Sequence, residues 1–148
     1  MNQNIMCLRE ATESDHSFVY NSWLKSFRQG SPWARLVPPQ IFYANHKQVI
    51  ALILKAAKVL IACNPEDPEQ IYGYVVYTPH RGTVIHYVYV KQPYRQLGFA
   101  KKLIAEAKQE QHINILPLTA THITVIWEQH LRDRFNMIYN PYILEAVR

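Results

Sequence analysis

The chain has 148 residues, of which 49% are hydrophobic and 18% charged, so its composition predicts one folded domain, residues 1–148, and excludes a disordered chain. Its longest apolar runs, Val49–Leu54 and Val59–Cys63, are far shorter than the ~20 residues that span a bilayer, so no membrane partner is expected. The net charge of +5 permits contact with nucleic acid or another acidic partner, although the basic residues are dispersed and form no run of four.

Hydrophobic periodicity and turn residues predict an alternation of strands and helices. Thr12 and Asp15 form a helix-start pattern close to a capping box, and Gly30 marks the end of that first helix. The strand Thr83–Val90 is largely apolar on both faces, so it should lie inside the sheet rather than at its edge. In chain order we predict a strand Ile5–Arg9, a helix with its apolar stripe on Val19, Tyr20, Trp23, Leu24 and Phe27, a helix with its stripe on Ile41, Phe42, Val49, Ile50, Ile53 and Ala57, strands Val59–Cys63, Ile71–Thr78 and Thr83–Val90, a helix Gly98–Gln111, a strand Ile115–Ala120, a helix Thr121–Arg134, and closing strand material over Met137–Val147.

The segment Val84–Ile104 predicts a strand, a tight turn, a glycine-containing loop and the start of a helix, in that order. The first N–H groups of a helix have no partner within it, and the helix dipole favours negative charge there. Gly98 allows a ligand to approach the backbone closely, and Ala100 leaves room for the helix to pack on the preceding strand. This helix start is flanked by basic rather than acidic residues: Lys91, Arg95, Lys101 and Lys102. We therefore predict a site for an anionic ligand.

The stretch Val90–Ala100, with Ala100 in place of a second glycine, resembles the loop that follows the fourth strand in the GNAT acetyltransferase superfamily. The predicted order of strands and helices is similar to that family over essentially the whole chain. The resemblance implies an α/β fold of the GNAT type, with a mixed central β-sheet splayed apart after the fourth strand and about four helices.

The same resemblance implies acetyl-CoA as co-substrate and no metal. In the family the pantetheine arm bonds to strand backbone in the splay, which corresponds by position to Val88 and Val90. The pyrophosphate is cradled by loop amides. The coenzyme-binding residues implied for the loop and the helix start are Arg95, Gln96, Leu97, Gly98, Phe99, Ala100 and Lys101.

Acetyl transfer to an amine needs the amine neutral, a donor for the oxyanion and a proton for the leaving thiolate. The resemblance favours His86 as the base, because it lies on the fourth strand and, by strict alternation, shares a face with Val84 and Val88. A histidine satisfied within the sheet is the alternative. The tyrosine that the family commonly carries on its fourth helix as the acid is missing here. The stand-ins are His130, or Tyr139 and Tyr142 later in the chain.

Trp33, in a proline-rich loop between two helices, and Phe27 are candidates for contact with the acceptor, although Phe27 also fits a core position. The resemblance thus predicts an enzyme that transfers acetyl from acetyl-CoA directly to a primary amine in a ternary complex, with the acceptor unidentified. The alternative is a non-catalytic module of the same fold that binds nucleic acid or a protein partner through its basic face. A third hypothesis joins the two, an enzyme that modifies nucleic acid.

The remaining expectations concern environment and assembly. No secretory signal is visible at the N-terminus, and Cys7 and Cys63 fit buried strands in a reduced cytoplasm. The histidines and cysteines lack zinc-site spacing. The apolar closing segment Met137–Leu144 suits a homodimer contact across a two-fold axis, or equally an internal strand.

Overall fold

A computed structural model describes residues 5–109 and 118–144 of the chain. It contains six strands and four helices, in the order β1 Cys7–Glu10, α1 His16–Gly30, α2 Pro39–Ala56, β2 Lys58–Asn64, β3 Asp67–Pro79, β4 Thr83–Val90, α3 Phe99–Gln109, β5 Leu118–Ala120, α4 Arg132–Phe135 and β6 Met137–Tyr139. A π-helical turn, Trp127–Leu131, leads directly into α4. The predicted mixed α/β architecture is confirmed. None of the helices described is both long and apolar enough to cross a membrane.

The six strands form one sheet whose spatial order is the chain order, β1 to β6. Strands β1 to β4 pair antiparallel, whereas β5 pairs parallel with β4 and β6 pairs parallel with β5. β4 therefore has a neighbour on each side, as its two apolar faces predict.

Two hydrophobic clusters cover the two faces of the sheet. The helix-pair cluster lies under α1 and α2, and its buried members fall between Val19 and Tyr87. The α3 cluster lies on the other face, and its buried members run from Met6 to Met137. Burying one apolar stripe of each helix against a sheet face is what makes this layered arrangement stable.

The start of α1 follows the predicted capping box. The Thr12 N–H donates to Asp15 Oδ2 at 2.7 Å, and Arg9 Nη1 lies 2.7 Å from the same oxygen. The hydrogen bond and charge of Arg9, with the Thr12 N–H, lower the pKa of Asp15 to about 2. This carboxylate ties the first strand to the helix that follows it.

Several predicted boundaries are wrong, and each has a local cause. The first strand runs Cys7–Glu10 rather than Ile5–Arg9. β3 begins at Asp67, four residues before the predicted start at Ile71. The prediction misses these four residues because they are exposed and carry no strand-like hydrophobic pattern.

The helix predicted over Thr121–Arg134 begins late, because residues 121–124 continue the path of β5 and the Thr121 N–H donates to Ile85 O. Closing strand material is limited to Met137–Tyr139, since Pro141 has no N–H and opens a 3₁₀ turn. The parts of predictions that fall on residues 110–117 and 145–147 lie outside the described residues.

A β-bulge interrupts the regular pairing of β4 with β3. Val76 pairs with Tyr87 and Tyr77 pairs with Ile85, so His86 is an extra residue on β4. The bulge breaks strict alternation: Ile85 and Val88 pack in the same α3 cluster. The prediction that Val84, His86 and Val88 share a face is therefore wrong.

β4 and β5 diverge from the position of this bulge onward. β5 pairs with β4 only over Thr83–Ile85, although β4 continues to Val90. The last bond between them joins the Thr121 N–H to Ile85 O at 3.1 Å. The predicted splay after the fourth strand is confirmed, and it leaves one side of β4 open from His86 onward.

Candidate functional site

A cleft of about 700 Å³ occupies the splay. Its walls are the second half of β4, the loop before α3 with the first turn of that helix, the end of α1, and the segment from His122 through the π-helical turn. We call this space the cleft. Its lining residues include Ser26, Gln29, Gly30, residues 85–90, Tyr94, Arg95, Gln96, Gly98, Phe99, Ala100, Lys101, Ile104, Ala120, His122, Thr124, Val125, Ile126, Trp127, His130, Leu131 and Met137.

The loop before α3 has the backbone of an anion cradle. Gln96 and Gly98 both adopt left-handed conformations, with φ of 66° and 83°. A Cβ at Gly98 would meet no atom within 4 Å, so the space above the loop is open. The Lys102 N–H donates to Gly98 O at 3.1 Å, and the N–H groups before it in the first turn have no intrahelical acceptor. The predicted coenzyme residues of this loop line the cleft, except Leu97, which is 53% exposed and absent from the lining.

Arg95 is fixed to the end of β4. Its Nε donates to Val90 O at 2.8 Å, and its guanidinium carbon lies 5.9 Å from the centre of the Tyr89 ring. Because the hydrogen bond and the ring contact restrain the side chain, the charge of this exposed residue is held beside the loop amides. Arg95 and Lys101 are the charged side chains among the described lining residues.

The backbone of β4 presents alternate residues to the cleft. The Lys91 N–H donates to Tyr72 O at 2.8 Å, which places the backbone groups of residue 91 on the β3 side. By the two-residue period of a strand, the backbone groups of Tyr89 also point toward β3. Those of Val88 and Val90 point the other way, toward the cleft. Val90 O accepts from Arg95, so the N–H and C=O of Val88 and the N–H of Val90 face the splay.

A series of hydrogen-bonded side chains, which we call the histidine chain, crosses the wall of the cleft. His86 Nε2 lies 2.9 Å from Thr78 Oγ1, and His86 Nδ1 lies 3.2 Å from Thr121 Oγ1. Thr121 Oγ1 also lies 2.9 Å from His122 Nδ1, and His122 Nε2 lies 3.0 Å from His46 Nε2. The series therefore joins β3, β4, the end of β5 and α2 at the point where backbone pairing between β4 and β5 stops.

The hydroxyl of Thr121 couples the histidine tautomers. It has one hydrogen, so it donates to one Nδ1 and accepts from the other, and only one of His86 and His122 carries its proton on Nδ1. The hydrogen bonds of the histidine chain can point in either direction along the series. Whichever direction they take, the tautomers of His46, His86 and His122 are set together. Burial lowers the pKa of His46 and of His86 to about 4, and that of His122 well below its usual range. The three rings are neutral at neutral pH, as the chain requires.

His86 is 1% exposed, and both of its ring nitrogens are engaged by threonine hydroxyls. It lines the cleft, yet a nitrogen could take a proton only by exchanging one of these hydrogen bonds. His130 also lines the cleft and is exposed on the π-helical turn. The structure thus brings His86 and His130 to one space, from opposite walls.

Tyr139, Trp33 and Phe27 lie outside the lining of the cleft. Tyr139 is on β6, where burial raises the pKa of its hydroxyl and the nearby Trp33 indole partly opposes that rise. Trp33 is 43% exposed, and its ring lies 5.5 Å from that of Phe27. Phe27 is buried, stacked on His46 at 5.0 Å. Tyr139 and Trp33 are therefore neighbours of each other rather than of His86.

Trp127 is a cleft residue that sequence reasoning missed. It is 6% exposed, and its indole N–H is buried without a hydrogen-bond partner among the residues described. It also opens the π-helical turn, a feature that occurs often at functional sites. In the sequence, the one indication of a role for Trp127 is that a large aromatic residue stands at a position predicted to be helical.

His122 and His46 were missed as well. They are 76 residues apart in sequence, and their contact depends on α2 packing beside the end of β5. No local pattern identifies such a pair. Among residues 5–109 and 118–144, no group of three or more histidine, cysteine or carboxylate side chains is placed to hold a metal ion.

Comparison with known proteins gives a family and a fold. A model described as the Acetyltransferase (GNAT) family matches residues 17–114. A structure from Pyrococcus furiosus named as an acetyl transferase has a TM-score of 0.66 and 11% identity over 88% of this chain and 89% of that one. A GCN5-related N-acetyltransferase from Ralstonia eutropha JMP134 has a TM-score of 0.64 and 17% identity, covering 87% and 90% of the two chains.

A third structure, a GNAT family acetyltransferase from Brucella melitensis, was solved in complex with acetyl-CoA. Its TM-score is 0.55 and its identity 18%, with 86% of this chain and 82% of that chain covered. No curated protein sequence matches this chain. At these identities the structural neighbours report on the fold.

Proposed function

The chain belongs to the GNAT acetyltransferase family and is an acyltransferase, and on that premise we propose that it transfers an acetyl group from acetyl-CoA to a primary amine. The observation that carries the proposal is the segment from Gln96 to Lys101, which borders an open cleft and contains the first N–H groups of α3, those before the Lys102 N–H, which have no intrahelical acceptor. A pyrophosphate is the group whose charge and size suit such a cradle.

The proposed coenzyme site has three parts. The N–H groups of residues 96–101 bind the pyrophosphate, with the charges of Arg95 and Lys101 beside it. The backbone groups of Val88 and Val90 bond the amides of the pantetheine arm, as an added strand would bond the open side of β4. The thioester then lies deep in the splay, between His86 on β4 and Trp127 on the π-helical turn.

The amine attacks the thioester carbon directly in a ternary complex. The amine loses a proton, the C–S bond breaks, and the coenzyme thiolate takes a proton up. His86 stays our candidate for the base, acting after exchange of its bond to Thr78. His130, exposed on the opposite wall, and Tyr139 stay candidates for the acid.

Trp33 and Phe27 remain proposed acceptor contacts of lower rank, since neither lines the cleft. The two free thiols, Cys7 and Cys63, support a cytoplasmic location. A homodimer through β6, the last strand of the sheet, also stays a proposal.

The test is calorimetric titration of acetyl-CoA into the wild-type chain and into two glycine variants. Gly98→Asp places a carboxylate and a side chain in the cradle, and we expect at least about a hundredfold loss of affinity because the carboxylate repels the pyrophosphate and its side chain occupies the same space. Gly82→Asp is the matched control, since Gly82 also has positive φ, 109°, but lies in the turn between β3 and β4. Equal affinity of both variants, or no binding by the wild type, would contradict the proposed coenzyme site.

A further inference from the structure

The cleft has an apolar rim at the C-terminal end of α1. A Cβ at Gly30, the last residue of that helix, would lie 3.5 Å from Thr124 Cβ. Lys91, at the end of β4 that leads to the anion cradle, lies instead near the start of the helix, with its Nζ 4.9 Å from the centre of the Phe18 ring. Val125 and Ile126 follow the splayed strand β5, line the cleft, and are 40% and 49% exposed. They are large apolar side chains on the surface of a concave site, so they offer contact area that no part of the described chain covers.

Two hydroxyl groups at this end are already engaged within the protein. Ser26 Oγ lies 2.7 Å from the Tyr87 hydroxyl and 2.6 Å from Ser22 O. Thr124 Oγ1 accepts from the backbone N–H of Trp127 at 3.2 Å. Groups bonded in this way interact only weakly with a ligand, so this surface is less polar toward a ligand than its residue types suggest.

The charges of the cleft are also unevenly placed. Arg95 and Lys101 lie at the cradle, and the described lining includes no aspartate or glutamate. On the neighbouring turn Glu128 lies outside the lining, with an oxygen 3.9 Å from Arg132. A second cationic group on an acceptor would lose water at this end without meeting a counter-charge.

We infer that the acceptor is a primary amine carried by an apolar, uncharged body, which packs on Val125 and Ile126 while its nitrogen reaches the thioester. The inference rests on the proposed function. It excludes the di- and polyamines and other polycationic amines as good substrates, although each has a suitable reacting nitrogen.

The test compares amines that differ at the end remote from the reacting nitrogen. Hexylamine, 1,6-diaminohexane and 6-aminohexanoate carry a methyl, an ammonium and a carboxylate there, and 2-phenylethylamine adds an aromatic body. Each is assayed with acetyl-CoA for release of the free thiol. We expect kcat/KM for hexylamine or 2-phenylethylamine to exceed that for 1,6-diaminohexane by at least about tenfold.

A carboxylate on the rim should reverse this preference. In Ile126→Glu we expect the ratio of diamine to hexylamine turnover to rise by about tenfold or more, because the remote ammonium gains a partner. Ile138→Glu is the matched control: Ile138 is 58% exposed, lies on β6 outside the lining, and changes the net charge equally. Ile126→Leu keeps the apolar contact and should keep the wild-type ratio.

The outcomes separate the inference from the proposed function. Preference for the diamine in the wild type, or equal shifts in Ile126→Glu and Ile138→Glu, would overturn the inference and leave an acetyltransferase. Calorimetric binding of acetyl-CoA with no turnover of either apolar amine would also overturn it, with the coenzyme site intact. Failure of acetyl-CoA to bind would remove the proposed function itself.

Discussion

Replacing Thr121 by valine removes the central link of the histidine chain while keeping the shape of the side chain. Thr121 is 3% exposed, and its hydroxyl bonds both His86 and His122. Valine replaces the hydroxyl by a methyl and leaves the backbone bond to Ile85 in place. Two buried imidazole nitrogens then have no partner.

The expected cost follows from those two nitrogens. A buried polar group left without a partner costs about 1–3 kcal/mol, so Thr121→Val should lower the free energy of unfolding by roughly 2–6 kcal/mol. Thr121→Ser keeps the hydroxyl and loses one methyl, which costs about 1 kcal/mol. Valine matches the shape of threonine more closely than serine does. We nevertheless expect Thr121→Val to be less stable than Thr121→Ser, because it loses the two hydrogen bonds.

Urea unfolding at neutral pH measures both variants. Tryptophan fluorescence is a suitable probe, because the Trp23 ring lies 5.2 Å from the His122 ring and will report any disturbance there. A Thr121→Val chain as stable as Thr121→Ser would refute the reasoning, since shape alone would then account for this site. A change in the slope of the unfolding free energy against urea would instead indicate an altered unfolded state.

Three further predictions follow from the same structure. Because the pKa of His86 is about 4 in the folded chain and near 6.5 when unfolded, the unfolded chain binds more protons between these values; stability should fall as pH drops below about 6.5, by about 1.4 kcal/mol per pH unit for each such histidine, and unfolding free energies that stay level down to pH about 5 would contradict this. Acetyl-CoA should move the indole N–H resonance of Trp127 in a ¹⁵N spectrum and leave that of Trp23, which is equally unpartnered but outside the cleft; the opposite pattern would argue against the placement of the thioester. A Cβ at Gly73 would collide with the β4 backbone, so Gly73→Ala should lower the melting temperature more than Gly98→Ala, whose Cβ has open space and costs only about 1 kcal/mol for its positive φ; equal melting temperatures would count against the close strand approach.

The features that the sequence predicts correctly are local ones. β4 is apolar on both faces, and the turn, glycine and helix after it follow within a few residues, so the anion cradle can be recognised from Val90–Ala100 alone. The capping box at Thr12 is equally local. The anion cradle and the capping box both depend on residues that are close together in the sequence.

The features that it does not predict depend on distant pairing. The bulge at His86 exists because β3 and β4 change register, and nothing within β4 itself marks the extra residue. His46 meets His122 only after α2 packs beside the splay. The π-helical turn at Trp127 replaces the start of a regular helix that the apolar pattern favours. His122, which lines the cleft, and His46, which bonds it from α2, therefore could not be identified before the fold was known.

The chain order of the strands has a consequence for the sequence of folding events. Every fully buried member of the helix-pair cluster lies between Val19 and Tyr87, and β1 to β4 each pair with the strand next along the chain. Short turns close the β2–β3 and β3–β4 pairs, and α1 and α2 lie between β1 and β2 in the chain. The first part of the chain to be synthesised can therefore bury its own core before α3 emerges. The cleft needs α3, β5 and the turn at Trp127, and it is completed last. Binding of acetyl-CoA would accordingly report that the whole domain has folded, whereas burial of Trp23 would report only its first stage.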